Sequence, residues 1–234
     1  MKPPPFSYHD PKTVAETIEL LGRLENAKLL AGGQSLMPML NMRFVLPDHI
    51  IDLNLVQGLS YIRENNGAIE IGAMTRQRDL EFSDVLRAHF PIMHEALLQV
   101  GHRQTRNRGT IGGSLANNDP AADYPAAVLA LGATIMTNAR EIAADDFFRG
   151  MFETVLAPGE LITAVKFPLP VAAGYAKFQN AASRFALVGV FVAKFASGIR
   201  VAVTGAGPVV FRVPACAKGI GRQYRWLLTR YITN

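Results

Sequence analysis

Cysteine is almost missing from this chain: Cys216 stands alone among 234 residues. One thiol excludes an internal disulfide, and it excludes any iron–sulfur or zinc site built from cysteines of this chain alone. Histidine is sparse and scattered at His9, His49, His89, His94 and His102. His89 and His94 lie five apart, off the i, i+4 spacing of a helical metal pair, so no metal site is expected. No apolar run reaches the length of a membrane span. The start, Met1-Lys2-Pro3-Pro4-Pro5, leads into no apolar signal core, so a cytoplasmic chain is expected. The G-x-G-x-x-G and G-x-x-x-x-G-K-[ST] nucleotide patterns are both absent. No serine sits in a Gly-x-Ser-x-Gly setting, so a hydrolase nucleophile is not expected, and neither is any other catalytic residue.

Acidic residues also run out. All 19 lie at or before Glu160, where they meet 14 Lys and Arg for a net −5. Residues 161–234 hold ten basic residues and no acid, a net +10. The cations are scattered along strand-like text such as Leu161–Phe167 with no nucleic-acid motif, which argues against nucleic acid and for docking on an acidic partner subunit. With 49% hydrophobic and 18% charged residues, the chain has enough apolar text for a compact core.

The order of elements is mixed. Thr13-Val14-Ala15-Glu16 is a capping-box pattern, followed by Val14, Ile18, Leu21 and Leu24 at helical spacing. Lys28–Ala31 and His49–Leu53 predict strands around a short helix over Leu36–Arg43. Asn65-Asn66-Gly67 between Tyr61–Arg63 and Ile69–Ile71 predicts a hairpin. Helices are expected over Leu80–Leu86, Pro91–Val100 and Tyr124–Leu131, and strands over Ala133–Met136 and Leu161–Phe167. This is an α+β pattern without strict βαβ alternation. Three parts are expected: a small α/β part over residues 1–55, a larger α+β part over 56–170, and a C-terminal unit over 174–234. The text after Pro214 holds the chain's only Cys and only Trp.

Two glycine-rich segments stand about eighty residues apart: Leu29-Leu30-Ala31-Gly32-Gly33-Gln34-Ser35-Leu36 and Arg108-Gly109-Thr110-Ile111-Gly112-Gly113-Ser114. Each pairs adjacent glycines with hydroxyl or amide side chains. Glycine can turn with positive φ, and its missing Cβ lets backbone N–H groups approach an anion, so the two segments can clamp a diphosphate from both sides. Taken singly, each is also an ordinary structural turn. Asp123 suits ribose hydroxyls, because a carboxylate only accepts hydrogen bonds; it equally suits the first turn of a helix. Asp119, before Pro120, reads as a turn residue. His102–Arg108 is a basic run that could support a diphosphate or be a solvated connector.

The words Ala31–Pro38, Arg106–Ser114, Ala121-Ala122-Asp123 and Val201–Pro208, in this order and spacing, resemble the FAD-binding medium subunit of the molybdenum hydroxylases. That family includes the medium chain of aerobic carbon monoxide dehydrogenase and the flavin part of xanthine dehydrogenase. The resemblance covers about Phe6–Pro208. It implies a two-part FAD-binding domain of the vanillyl-alcohol-oxidase/PCMH type, followed by a C-terminal α+β domain. After Pro214 the text departs from the family, so that domain is expected to be truncated or altered. The resemblance implies non-covalent FAD held by Leu29, Leu30, Ala31, Gly32, Gly33, Gln34, Ser35 and Leu36, and by Thr110, Ile111, Gly112, Gly113 and Ser114. Val100 would pack on the cofactor, Asp123 would hold its nucleotide end, and Lys177 would align near the flavin's pyrimidine edge. From the local sequence alone, Lys177 is a surface lysine.

The resemblance further implies an electron-transfer flavoprotein subunit of an oxidoreductase. Its partners would be a large molybdenum-cofactor subunit and a small [2Fe–2S] subunit, assembled as a dimer of heterotrimers. The molybdenum cofactor and the clusters would reside only in those partners, and the acceptor would be a quinone, NAD or oxygen. Two alternatives are a free-standing flavin oxidase or reductase of the same fold and a flavin-free scaffold subunit. Gln34 and Ser35 leave no His or Cys for a covalent flavin link in the first segment.

Overall fold

The structure, a computed structural model, describes residues 2–214. The expected departure after Pro214, with Cys216 and Trp226, lies outside the described residues. The first part opens with β1 (Ser7–His9) and α1 (Val14–Arg23), then β2 (Ala27–Leu30), α2 (Leu36–Asn41) and β3 (His49–Asp52). The capping box forms as expected: Thr13 Oγ1 accepts from the Glu16 N–H at 3.1 Å, and the Glu16 carboxylate accepts from the Thr13 N–H at 3.3 Å. The three strands pair in parallel in the order β1-β3-β2, and a 3₁₀ turn over Leu53–Leu55 follows.

The second part builds a five-stranded antiparallel sheet ordered β4-β5-β10-β6-β7. The hairpin of β4 (Ile62–Asn65) and β5 (Ala68–Gly72) turns at Asn66 and Gly67, with φ of 51° and 71°, as a two-residue loop needs to match strand twist. Six helices follow: α3 (Gln77–Glu81), α4 (Asp84–His89), α5 (Pro91–Leu98), α6 (Arg103–Arg108), α7 (Ile111–Asn117) and α8 (Asp123–Leu131). The single helix expected over Leu80–Leu86 is two helices. Ser83 breaks it by capping α4, its hydroxyl accepting from the Leu86 N–H at 3.3 Å. After α8 come β6 (Thr134–Thr137), β7 (Glu141–Ala143), α9 (Ala144–Phe147) and a small hairpin of β8 (Phe148–Gly150) with β9 (Glu153–Thr154). The last strand of the sheet, β10 (Ile162–Pro168), inserts at its centre between β5 and β6.

The third part is an antiparallel meander of β11 (Ala172–Gln179), β12 (Ala186–Phe195), β13 (Gly198–Thr204) and β14 (Phe211–Arg212). Period-2 alternation puts Tyr175, Phe191 and Ala202 on one face, where they join the buried residues of α8 and the large sheet in one continuous core. All nine residues of α8 are buried, because the helix packs against β12 and β13 of the meander and against α5, α7 and β10. A separate small cluster of Leu53, Val56, Leu59, Met74 and Leu161, backed by Val14, Ile18 and Leu29, joins the first part to the second. Among the described residues no helix is long and apolar enough to cross a membrane.

Candidate functional site

The two glycine segments meet. A Cβ added to Gly32 would lie 2.8 Å from the Gly109 Cα and 3.0 Å from the Arg108 carbonyl carbon, so the two backbones touch where a side chain would separate them. Gly33 carries φ +71°, the left-handed turn that sends the chain from β2 into α2. Gln34 and Ser35 beyond it are exposed, and among the described residues no backbone N–H of Gly32, Gly33, Gln34 or Ser35 donates to a protein acceptor. These groups are available to an anion.

The second segment departs from the expected loop. Thr110 is the N-cap of α7, and Ile111 to Asn117 are helical. The Gly113 N–H donates to Thr110 Oγ1 at 3.1 Å, and the Gly112 N–H donates to the Ala73 carbonyl at 2.9 Å. The Ser114 N–H donates to the Thr110 carbonyl at 3.1 Å, so three of the donors expected to face a diphosphate are engaged within the protein. Their glycines serve close approach instead: a Cβ on Gly112 would sit 2.6 Å from the Ala73 Cβ, and one on Gly113 would sit 2.8 Å from Thr110 Oγ1 and 3.3 Å from the Ala31 Cβ. Small residues here let a helix N-terminus, with its partial positive charge, lie against the first segment.

Between these walls runs a cleft of about 570 Å³, within the usual size of a cofactor pocket. Of the sixteen residues singled out in the sequence, thirteen line it: Leu29, Ala31, Gly32, Gly33, Gln34, Ser35, Leu36, Val100, Thr110, Gly112, Gly113, Ser114 and Asp123. Leu30, Ile111 and Lys177 do not. Ile111 is fully buried in the core behind the α7 N-terminus. A mostly apolar groove with unengaged backbone donors along the first segment suits a dinucleotide with a large ring, and FAD fits that description.

Lys177 is not a surface lysine. Its side chain is 1% exposed, with Nζ 2.8 Å from Asp123 Oδ1 and donating at 2.8 Å to the Gln99 carbonyl. The Tyr175 hydroxyl also donates to Asp123 Oδ1. Asp123 is the first residue of α8, so the first-turn placement holds as well. Burial pushes its carboxyl up from the ordinary carboxylate range, while Lys177 and Tyr175 pull it back. Burial, with the Asp123 carboxylate beside it, drives the Tyr175 hydroxyl well above the usual phenol range. Tyr175 and Lys177 alternate along β11, and their shared partner lies 52 and 54 residues upstream, where no local pattern could point to it.

The basic run His102–Arg108 forms α6, and neither expectation describes it fully. Arg106 is buried against Glu81 at 2.9 Å and donates to the Val100 carbonyl at 3.0 Å, so it braces the cleft wall. That pairing holds the Glu81 carboxyl below its usual range. Arg103 and Arg108 are exposed, while His102 and Thr105 line the cleft. Asp119 is the turn residue expected, its Oδ1 accepting from the Ala121 N–H at 2.9 Å. The mouth of the cleft carries residues that sequence reasoning missed. Phe152 and Phe185 are exposed aromatics there, and Phe152 and the neighbouring Arg184 hold φ of 57° and 61°. Arg184 and Phe185 lie in the stretch Ala182–Val190 that resembles the family's C-terminal domain, but nothing there assigns them to a site, and Phe152 lies in no motif; they arrive from separate turns after β8 and β11.

Comparison with known proteins identifies the family and the fold. Residues 4–170 match the family described as "FAD binding domain in molybdopterin dehydrogenase". The carbon monoxide dehydrogenase medium chain of Hydrogenophaga pseudoflava is 39% identical over 226 residues, covering 91% of this chain and 78% of the relative. The glyceraldehyde dehydrogenase medium chain of Sulfolobus acidocaldarius is 40% identical over 201 residues, covering 82% and 71%. Among solved structures, the Hydrogenophaga pseudoflava carbon monoxide dehydrogenase that lacks the Mo-pyranopterin moiety superposes with a TM-score of 0.85 over 91% of this chain and 78% of that one. A Cu,Mo-CO dehydrogenase superposes with a TM-score of 0.87 at 35% identity, over 93% and 81%. The mixed α+β architecture is thus that of the carbon monoxide dehydrogenase medium chains, and the chain belongs to the family of FAD-binding domains of molybdopterin dehydrogenases.

Proposed function

We propose that this chain is the FAD-carrying electron-transfer subunit of a molybdenum hydroxylase complex. The observation that carries the proposal is the meeting of two glycine segments from separate parts of the chain, at Gly32 and Gly109, over one continuous cleft. The division at residues 1–55 and 56–170 then has a purpose, since each part supplies one wall. Backbone N–H groups of Gly33, Gln34 and Ser35 would hold the diphosphate from the first wall, and the N-terminus of α7 would supply positive potential from the second. Asp123 would accept from ribose hydroxyls through the lone pairs that Lys177 and Tyr175 leave open. Phe152 and Phe185 at the mouth would flank the ring and keep water from its faces.

The chemistry supplied by bound FAD is a junction: electrons arrive singly from [2Fe–2S] clusters of a partner subunit and leave as a pair to a quinone, NAD or oxygen. This chain's residues bind and orient; the organic or gaseous substrate would be handled at a molybdenum cofactor in a large partner subunit. The assembly in this proposal is a dimer of heterotrimers. The test is the purified protein, alone and with its partners: flavin absorbance and one FAD per chain on extraction are expected. Acid precipitation should leave the flavin in the supernatant. Protein free of flavin in both preparations overturns the proposal, and flavin retained in the pellet overturns its non-covalent form.

A further inference from the structure

Beside the contact between the glycine segments lies a bridge that the cleft lining does not include. Asn54 follows β3 in the first part, and its Nδ2 donates to the Ala31 carbonyl at 3.2 Å, immediately before Gly32. Asp52 orients Asn54, accepting from its backbone N–H at 2.9 Å and from Nδ2 as well. The Asn54 Oδ1 faces away and accepts from the Arg76 guanidinium. The other arm of that guanidinium donates to the Arg108 carbonyl, immediately before Gly109. The backbone of Arg76 is itself tied to the second segment, through its bridge to Thr110 and through the Gln77 N–H donating to the Gly109 carbonyl at 2.8 Å. Arg76 therefore spans from one glycine segment to the anchor of the other.

The partners are informative. Both acceptors of Arg76 are neutral, so its positive charge is not cancelled by a hydrogen-bonded carboxylate. The two acceptors are met by different guanidinium nitrogens held in a fixed planar fork, whereas an ammonium would have to reach both from a single nitrogen. We propose that Arg76, held by Asn54, is a positioning residue that sets the separation of the two glycine segments and so the width of the diphosphate site. This rests on the FAD assignment for its ligand, while the bridge itself can be tested without one.

The experiment uses the full chain with Arg76→Met, Arg76→Lys, Asn54→Ala and the Arg76→Met/Asn54→Ala pair. FAD affinity is read by quenching of flavin fluorescence, and amide hydrogen exchange is read over residues 31–36 and 109–114 without cofactor. Each single change should weaken FAD by about ten- to a hundredfold, the loss of one charge-assisted hydrogen-bonded link. The pair should be no weaker than the worse single, because both break the same bridge. Exchange should quicken in both segments together, and Arg76→Lys should not restore either readout. Full affinity in Arg76→Lys would show that charge alone matters and overturn the proposal. Multiplying losses in the pair, or exchange unchanged in one segment, would overturn it equally. A wild-type chain that binds no FAD would defeat the cofactor assignment, and the exchange measurement would still decide the bridge.

Discussion

Replacing Lys177 with methionine keeps the length of the side chain and removes its charge. The ammonium sits 2.8 Å from Asp123 Oδ1, and the two side chains are 1% and 6% exposed, so solvent cannot take its place. Removing one partner of a buried pair strands the other charge, at about 3–5 kcal/mol. For a chain of this size about 1 kcal/mol moves Tm by about 2–4 °C, so Lys177→Met should lower Tm by about 6–20 °C. Two other bonds depend on the same place. The Gln99 carbonyl loses the Nζ donor, which loosens the turn into Val100 at the cleft wall, and among the described residues Tyr175 is left as the only side chain donating to Asp123. Thermal unfolding followed by circular dichroism measures the first effect. Adding Asp123→Asn to Lys177→Met removes the stranded charge and should recover part of the lost stability. A Tm drop under about 3 °C in the single variant, or a double variant as unstable as the two singles combined, would refute the view of Lys177 as a buried counter-ion.

Gly33→Val forces a β-branched residue to φ +71° and Gly113→Val drives a Cβ into Thr110 Oγ1; both should emerge from gel filtration without FAD while keeping their far-ultraviolet spectrum. Gly112→Val, pressed on the Ala73 Cβ in the helix–sheet contact, should instead lower Tm, and equal behaviour of Gly112→Val and Gly113→Val would contradict this division of roles. Asp123→Ala should weaken FAD more than FMN in parallel titrations, since the lost contact is assigned to the adenosine side. Glu160 has its carboxyl held down to about 2 by the Arg140 guanidinium, with help from the Ala157 N–H and the Thr137 hydroxyl, against an ordinary 4.5. A depressed folded value means stability present above about pH 4.5 and lost as the pH falls toward 2. Half-exposed Arg140 screens the effect to about 1–2 kcal/mol. Glu160→Gln should therefore flatten the acid limb of Tm against pH, and an unchanged limb would remove Glu160 from that role.

Local signals were legible where the physics is local. The capping box at Thr13, the Asn66-Gly67 turn and the proline at the start of α5 each formed where the sequence placed them, because propensity and tertiary context agree there. The glycine segments were legible as a pair, and the cleft gathers most of the residues named for it. What failed was the conformation of the second segment. Gly112 and Gly113 argue for a turn by propensity, yet Thr110 caps a helix there because Ala73 and Ala31 leave room only for glycine at its first turn. Long-range pairs were also out of reach. Nothing in the sequence links Lys177 to Asp123, Arg106 to Glu81 or Arg76 to Asn54, since each pair forms only after sheets and helices are placed.

The charge asymmetry illustrates the same limit and changes meaning once the fold is known. Ten cations without one acid after Glu160 suggest a segment that repels itself until a partner neutralises it. Six of these cations fall among the described residues, and three of the six find their acids inside the chain. Lys177 pairs with Asp123, while Arg200 and Arg212 share Asp145 at 2.6 and 3.0 Å. Arg200 also donates to the Leu129 and Ala130 carbonyls at the C-terminal end of α8, where a cation complements the helix dipole. The β11–β14 meander is thus held to the flavin-binding part by charge as well as by Phe191 and Ala202. Among the described residues, Asp123 and Asp145 of the acidic stretch thus meet three of the cations that follow Glu160. Among the described residues the exposed Lys194 stands outside these pairs, so the cations there that an acidic partner could be expected to meet are fewer than the sequence implies.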